Sequence, residues 1–152
     1  MKLEIITPEK EYFSGEVEYV DIPGHQGHMG PLPGHAPLVT MIKEEWDDDL
    51  FYRVDKNSEM IELALGPGYV EIAQDKISVL TDWIVSEEDD IDVDAAEVAM
   101  QRAKDALENV TEEDEQYDAL QAVVARSLAQ ISVKTRRKSL WFFLGYFLLI
   151  AK

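Results

Sequence analysis

Residues 23–40 read PGHQGHMGPLPGHAPLVT and contain four glycines and four prolines. Glycine permits backbone dihedrals that other residues avoid, whereas proline fixes its own φ angle. This much glycine and proline is not expected in a helix or a central strand, so the sequence predicts a shaped loop. Because long ordered loops between strands are more often functional than merely connective, we take residues 23–40 as the first candidate contact site.

On both sides of this stretch, apolar and polar residues alternate over residues 2–81. Alternation with a period of two places one face of each strand in a core. Together with the Gly, Pro and Asn turns between segments, the pattern predicts seven to nine short strands in an antiparallel β-sandwich or barrel. The residues expected to face the core are Leu3, Ile5, Val17, Tyr19, Ile22, Ile61, Leu63, Leu65, Ile77 and Val79.

Beyond Ser86 the apolar period becomes helical, and the sequence predicts an antiparallel helical hairpin with a very short turn. The first helix is expected near residues 94–109 and the second over residues 112–134. Each start carries a capping-box pattern, in which a cap oxygen accepts a backbone N–H and an acid three residues later reaches back. The pairs are Asp94 with Glu97 and Thr111 with Asp114. The residues expected on the packed stripes include Ala96, Ala99, Met100, Ala103, Leu107, Val110, Leu120, Val123, Ser127, Leu128 and Ile131.

These patterns divide the chain into four predicted parts. A sandwich domain covers residues 1–85 and an acidic, solvated linker covers residues 86–93. The helical hairpin covers residues 94–138, and an apolar tail of uncertain structure covers residues 139–152.

The composition limits the class of protein. The 152 residues suffice for one domain with an appendage, and 31 acidic against 14 basic residues give a net charge of −17. Such a charge repels phosphate backbones, so we expect protein partners and no nucleic acid. The chain has no cysteine, which fits a reducing compartment. Its charged, strand-like start does not read as a signal peptide and favours a cytoplasmic protein.

The motif Gly-x-x-Gly-x-x-Gly-x-Leu-Pro-Gly-His-Ala-Pro-Leu-Val-Thr at residues 24–40 resembles the signature of the epsilon subunit of F-type, proton-translocating ATP synthases. Flanking pieces agree in their order over residues 3–84, namely ITP at 6–8, FSGEV at 13–17, LGPGYVEI at 65–72 and ISVL at 77–80. One segment departs from the family. A Pro-Gly turn usually follows the position of Lys43, whereas residues 44–49 here read EEWDDD, which leaves a hairpin there open and favours an exposed Trp46.

The resemblance implies a non-catalytic subunit of the central stalk that follows a β-sandwich with two helices. It would rotate with the gamma subunit and the c ring, couple proton flow to ATP synthesis, and restrain hydrolysis when its helices extend to the alpha and beta subunits. It would lie peripherally on the cytoplasmic face of an energy-transducing, bacterial inner membrane. The implied c-ring contact is Gly27, His28, Met29 and Gly30, with His28 where the family often has an acid. The implied loop-shaping residues are Gly24, Pro33, Gly34, His35, Ala36 and Pro37.

Other chemistry finds little support in the residues. His25, His28 and His35 suggest a metal site, but the chain has no further histidine and no cysteine to complete a ligand set. No phosphate-binding loop with its lysine is present, and no serine has a histidine near it in the sequence. We therefore expect neither an enzyme nor a cofactor. The alternative is a free-standing acidic β-sandwich binding module with a helical appendage, metal-dependent through these histidines.

The sequence also gives little support for a nucleotide-binding site. Some bacterial epsilon subunits bind ATP on the helical domain through Ile/Leu-Asp-x-x-Arg-Ala, which reads IDVDAA at residues 91–96 here. Ala95 stands at the arginine position, so the guanidinium that would clamp a phosphate is missing. Asp92, Arg102 and Arg126 remain as a weak nucleotide site.

The end of the chain carries a basic cluster at residues 134–138 and an apolar run at residues 140–151. As a helix the run spans about 18 Å, short of the roughly 30 Å hydrocarbon core, so it should not cross a membrane. Left in water it would expose a large apolar patch. We expect the cluster to meet acidic surfaces of the catalytic head and the tail to fill an apolar cavity around gamma. Folding back on the hairpin, a translation anomaly and contact with a membrane surface stay open.

Overall fold

The structure, a computed structural model, describes residues 1–42 and 49–150, with side chains described as far as residue 135 outside that gap. It divides into two compact units, of which the first is Met1–Ser86 and the second begins at Glu87. A β-sandwich is followed by two helices. The predicted fold class is therefore confirmed.

The described part of the first unit contains ten strands, one more than the upper end of the prediction. Sheet 1 has the order β2-β1-β9-β8-β5, and sheet 2 has the order β10-β7-β6-β3-β4. Neighbouring strands are antiparallel except β1 and β9, which pair in parallel. The strands are β1 (Lys2–Ile6), β2 (Glu11–Glu16), β3 (Tyr19–Gly24), β4 (Gly27–Met29), β5 (His35–Met41), β6 (Asp49–Arg53), β7 (Ile61–Leu65), β8 (Gly68–Gln74), β9 (Lys76–Thr81) and β10 (Ile84–Ser86).

The core lies between the two sheets and consists of inward-facing aliphatic side chains. Each fully buried Leu, Ile or Val contributes about 1.5–3 kcal/mol relative to exposure. Of the predicted core residues, Tyr19 and Ile61 are wrong, because they are 42% and 37% exposed. In β3 the inward positions are Val20 and Ile22, so Tyr19 points outward. The buried members include Leu3, Ile5, Val17, Ile22, Leu63, Leu65, Ile77 and Val79.

We predicted that the Gly/Pro-rich stretch forms one shaped loop. This prediction was wrong, because most of the stretch is strand. Residues 23–40 contribute to β3, β4 and β5. Both β4 and β5 are edge strands, where a residue without an N–H does not interrupt a ladder on its outer side. Pro37 lies at an irregularity in the β5–β8 register between His35 and Leu38, which is the other place where strands accept proline.

The chain passes from one sheet to the other after β5. β5 pairs with β8 in sheet 1, whereas β6 pairs with β3 and β7 in sheet 2. The two strands therefore do not form a hairpin with each other. Of the departure from the family at residues 44–49, residues 44–48, including Trp46 and its predicted exposure, lie outside the described part of the chain, and Asp49 begins β6.

The second unit contains α1 (Val93–Leu107) and α2 (Tyr117–Ile150). The predicted cap of α1 was wrong by two residues. Asp92 has an extended backbone and is the N-cap residue, and its carboxylate accepts from the backbone N–H of Ala95 at 3.0 Å. Asp94 instead lies in the first turn, where an acid interacts favourably with the helix dipole.

The second helix begins at Tyr117, five residues later than predicted, and the turn is correspondingly longer. Asp114 does reach back, since its Oδ2 accepts from the Thr111 backbone N–H at 2.7 Å. However, the Thr111 hydroxyl also lies 3.2 Å from the same oxygen, so it donates there instead of capping a helix. Bonds of the i to i+3 type at Asp114 and Tyr117 then make turns before α2 starts.

Small side chains lie where the two helices pack. Ala96 and Ala103 of α1 are buried, as are Ser127 and Ala129 of α2, whereas the predicted stripe residue Val123 is 43% exposed. Near the start of the unit, Lys134 Nζ donates to the Glu87 carbonyl oxygen at 3.1 Å. The end of the α2 segment that packs on α1 thus lies beside the residues that precede α1, and the helices are antiparallel.

α2 continues without interruption past residue 138 to Ile150. Residues 139–150 of the predicted tail therefore belong to the second helix. The side chains from residue 136 onward lie outside the described part. Within the described residues, no helix is both long enough and apolar enough to cross a membrane.

Candidate docking site

The outer face of sheet 1 presents a group of exposed apolar side chains. The β5–β8–β9–β1 register places Met41 beside Tyr69, Tyr69 beside Leu80, and Leu80 beside Ile6. Val39 is two residues from Met41 on the same face of β5. Val39, Met41, Tyr69 and Leu80, which we call the apolar face, are between 47% and 66% exposed. Contiguous exposed apolar side chains of this kind mark interaction surfaces in soluble proteins.

A shallow groove accompanies the apolar face. It has a volume of about 400 Å³ and is lined by Ile6, Thr7, Pro8, Met41, Pro67, Gly68, Tyr69, Leu80, Thr81 and Asp82. One wall depends on Gly68, because a Cβ atom there would lie against the Leu80 carbonyl oxygen. The Thr81 hydroxyl donates to the Gly66 carbonyl oxygen at 2.9 Å, which ties this strand end to the turn before β8. The groove thus has a fixed shape.

A charged cluster borders the apolar face on β1 and β9. Lys2 Nζ lies 2.6 Å from Glu4 Oε1, and Lys76 Nζ lies 2.7 Å from Glu4 Oε2. The hydrogen bonds from Lys2 and then Lys76 lower the pKa of the Glu4 carboxyl, and the hydrogen bond to Glu4 raises the pKa of Lys2. The cluster gives the apolar face a polar rim, as in many protein interfaces.

The outer face of sheet 2 is different in character. Arg53 Nη2 lies 3.4 Å from a Glu18 carboxylate oxygen, and His28 Nδ1 lies 3.2 Å from Asp21 Oδ2. Tyr19, which pairs with Arg53 in the β3–β6 ladder, is a large exposed side chain among these charges. Of the two outer faces, sheet 1 therefore offers the better surface for a protein partner.

The predicted c-ring contact residues lie on and just after β4. A two-residue turn, His25–Gln26, joins β3 to β4, and Gly24 pairs with Gly27 across it. Gly27 has a φ angle of +119°, a conformation that favours glycine. His28 presents a partly exposed imidazole beside Asp21. This edge strand keeps His28 accessible for a polar contact.

Two neighbours of His28 behave differently from the prediction. Met29 is turned inward and packs against the core, and its Cε would meet a Cβ atom on Gly24. Met29 therefore has less surface to offer a partner than we expected. Leu32, which we did not select, is 73% exposed between β4 and β5. The hint in the sequence was an apolar residue held between Pro31 and Pro33.

The loop-shaping residues are held by backbone hydrogen bonds. Gly34 has a φ angle of +83° and donates its N–H to the Gln74 carbonyl oxygen at 3.1 Å. The His35 N–H donates to Leu32 at 3.0 Å, and His35 Nδ1 lies 2.7 Å from the Ala36 carbonyl oxygen, which can only accept. Gly34 thus leads into β5, while Pro33, Ala36 and Pro37 are exposed around it.

The three histidines are not gathered into one ligand set. The His25 backbone N–H bonds to Met41, His28 faces Asp21, and His35 faces its own neighbour Ala36. Among the residues for which side chains are described, no three His, Cys, Asp or Glu groups are placed to hold a metal ion.

The residues of the predicted nucleotide site do not converge. Asp92 caps α1, and Arg102 follows ten residues later, about 15 Å along the helix. A groove of about 550 Å³ lies between α1 and α2, lined by Asp94, Glu97, Val98, Met100, Gln101, Leu128 and Ile131. Arg126 lies about 200° around α2 from Leu128 at 3.6 residues per turn, so it faces away. Two carboxylates and no cation line this groove, which disfavours a triphosphate.

Two family models match the chain, one for each of the two units. Residues 1–87 match the beta-sandwich domain of the ATP synthase delta/epsilon chain, and residues 89–135 match the long alpha-helix domain of the same chain.

Curated relatives and solved structures point the same way. The chain is 38% identical to the ATP synthase epsilon chain of Trichlorobacter lovleyi over 91% of this chain and 97% of that one. It is 35% identical to the epsilon chain of Geobacter sulfurreducens over the same shares. A chain in the mitochondrial ATP synthase of Euglena gracilis, solved as OSCP, F1 and c-ring, has a TM-score of 0.60 at 17% identity. That match covers 81% of this chain and 74% of the other, and it supports the fold.

We predict that the isolated chain binds ATP with a dissociation constant above about 1 mM. Ala95 stands where the ATP-binding motif has its phosphate-binding arginine, and the groove between α1 and α2 is acidic. Isothermal titration calorimetry with Mg-ATP measures this. Ala95→Arg restores a cation at that position and should strengthen binding, and Ala122→Arg adds the same cation at an exposed position on α2 as a matched control. Micromolar binding by the unmodified chain would contradict the prediction.

Proposed function

Because this chain belongs to the ATP synthase delta/epsilon family, as an epsilon subunit of the F-type enzyme, we propose that its sandwich docks on gamma in the central stalk. The alternative of a free-standing metal-dependent module is set aside. In this role the chain carries no catalytic group. It passes torque between the c ring and gamma during ATP synthesis, on the cytoplasmic face of the membrane.

The apolar face of sheet 1 is the single observation that carries the docking proposal. Val39, Met41, Tyr69 and Leu80 are large, about half exposed and adjacent, and a partner that covered them would gain roughly 0.7–2 kcal/mol for each side chain, about half the value for full burial. The Lys2–Glu4–Lys76 cluster beside them supplies a polar rim. The charged outer face of sheet 2 offers no comparable gain.

The β3–β4 hairpin is proposed to contact the polar loops of the c ring. Gly27, His28, Met29 and Gly30 form its outer arm, and the exposed imidazole of His28 and the exposed side chain of Leu32 are its available contacts. Met29 is assigned a supporting part because it packs inward. The signature residues Gly34 and His35 fix where this arm ends and β5 begins.

The hairpin is proposed to restrain ATP hydrolysis by leaving its resting position and reaching the alpha and beta subunits. Four of its buried residues are alanine or serine, namely Ala96, Ala103, Ser127 and Ala129, and the fifth is Val133, so the interface buries little apolar area for each residue. Rearrangement of such helices therefore costs less than rearrangement of the aliphatic sandwich core.

We expect Tyr69→Ser to weaken gamma binding roughly tenfold or more, because it removes a large apolar contact from the apolar face. Tyr19→Ser makes the same chemical change at an exposed position on sheet 2 and should leave affinity within about twofold. Surface plasmon resonance on immobilised gamma compares the two variants. Equal losses, or a larger loss for Tyr19→Ser, would place the docking surface elsewhere.

We expect removal of residues 87–152 to raise the ATPase activity of the assembled enzyme while assembly is retained, because residues 1–86 form a compact unit that keeps the apolar face. Native gels establish assembly, and a coupled ATPase assay reports the rate. An unchanged rate in fully assembled enzyme contradicts the restraint by the helices. Failure to assemble contradicts the assignment of docking to the sandwich.

A further inference from the structure

Charge is distributed very unevenly along this chain. All 31 acidic residues precede residue 119, and residues 119–152 contain six basic residues and no acidic one. Nearly the whole of α2 (Tyr117–Ile150) lies in this acid-free segment. Four of the six positive charges fall in the basic cluster at residues 134–138, and a fifth is the final Lys152.

The basic cluster starts where the hairpin packing ends, and the apolar run continues beyond it. Lys134 donates to the Glu87 carbonyl oxygen, so this turn of α2 lies beside the residues that precede α1. From there α2 continues for sixteen residues to Ile150, about 24 Å at 1.5 Å per residue. The family match to the long alpha-helix domain ends at residue 135, so this extension lies outside it.

The last eleven residues of this extension carry no charge. Residues 140–150 read LWFFLGYFLLI and contain no charged residue. An amphipathic stripe would suit packing on one neighbouring surface, whereas a helix without a polar face needs apolar surroundings on every side. As a helix these eleven residues span about 16 Å, which is half of a hydrocarbon core of roughly 30 Å. They are thus too short to cross a bilayer and suited to enter one leaflet.

We propose that residues 140–150 insert into one leaflet of an anionic bilayer, with the basic cluster at residues 134–138 contacting anionic headgroups. Basic residues beside an apolar segment are the pattern of helices that bind membrane surfaces. Trp and Tyr, present at 141 and 146, are residue types enriched at membrane–water interfaces. Lipid also surrounds an inserted helix on all sides. A protein cavity around gamma would need a shape that encloses the helix in the same way. The proposal does not depend on how the sandwich docks.

Co-sedimentation of the full chain with vesicles tests this. One vesicle is phosphatidylcholine alone, and the other is an equal mixture of phosphatidylcholine and phosphatidylglycerol. The full chain should bind the mixed vesicles, bind the neutral ones far more weakly, and lose affinity as salt is raised. A chain ending at residue 138 should lose the apolar contribution and fall to weak, purely salt-sensitive binding.

Charge variants separate the two contributions. Neutralising Arg136, Arg137 and Lys138 to Gln should weaken binding to the mixed vesicles by about a hundredfold, at roughly 1 kcal/mol for each charge. Neutralising Lys10, Lys56 and Lys104 to Gln makes the same change in net charge at exposed positions elsewhere and should have little effect. Circular dichroism establishes that every variant is folded.

Three outcomes would overturn the proposal. The first is no vesicle binding by the folded full chain, and the second is equal binding to neutral and mixed vesicles. The third is binding to the mixed vesicles that keeps its full strength after deletion of residues 139–152. If vesicle binding is absent and the same deletion raises the ATPase rate of the assembled enzyme, the tail belongs in a protein cavity around gamma. Gamma binding by the full chain, measured separately, shows whether the proposed docking stands independently of this result.

Discussion

The end of β5 is fastened to the β3–β4 hairpin, and this junction fixes both proposed contact surfaces. The His25 N–H donates to the Met41 carbonyl oxygen at 3.0 Å, and Gly24 and Ile42 form an isolated bridge. Ile42 is 2% exposed and belongs to the core, so the crossing between sheets is held by burial as well as by hydrogen bonds. A single such bond contributes only about 0.5–1.5 kcal/mol. The buried side chain therefore supplies much of the rigidity.

This junction joins the apolar face and the proposed c-ring contact on the β3–β4 hairpin into one rigid body. Met41 belongs to the apolar face, and its carbonyl oxygen accepts a hydrogen bond from the His25 N–H. His25 lies in the turn that leads to Gly27 and His28. A partner docked on Tyr69 and Leu80 is thereby held at a fixed offset from a partner at His28. A rotor subunit that transmits torque needs that fixed offset, since a flexible link would absorb it. The helical unit, with small residues at its interface, is the part suited to change position.

Much of the fold follows from local pattern in the sequence. Alternation of polar and apolar residues identified most core positions, and the helical period after Ser86 identified two helices. The errors have physical causes. Glycine and proline are avoided in central strands but accepted on edges, and only the sheet order shows that β4 and β5 are edges. Asp92 and Asp94 are both good caps, and the backbone conformation at residue 92 decides between them.

Only part of the candidate site could be predicted from the sequence. The signature residues were found through a resemblance, whereas the apolar face was missed because it joins Met41, Tyr69 and Leu80 from three strands. Alternation shows that each of these residues points away from the core. It does not show that they are neighbours, because that depends on the register of β5 with β8 and of β8 with β9. The parallel pairing of β1 with β9, which brings Ile6 to the same row, is likewise a long-range property.

The central claim, that the outer face of sheet 1 is the docking surface for gamma, is tested most directly by hydroxyl-radical footprinting. Side-chain oxidation is measured in the free chain and in its complex with gamma. The account predicts that oxidation of Met41 and Tyr69 falls strongly in the complex while oxidation of Tyr19 is unchanged. Protection of Tyr19 together with undiminished oxidation of Met41 and Tyr69 would contradict it.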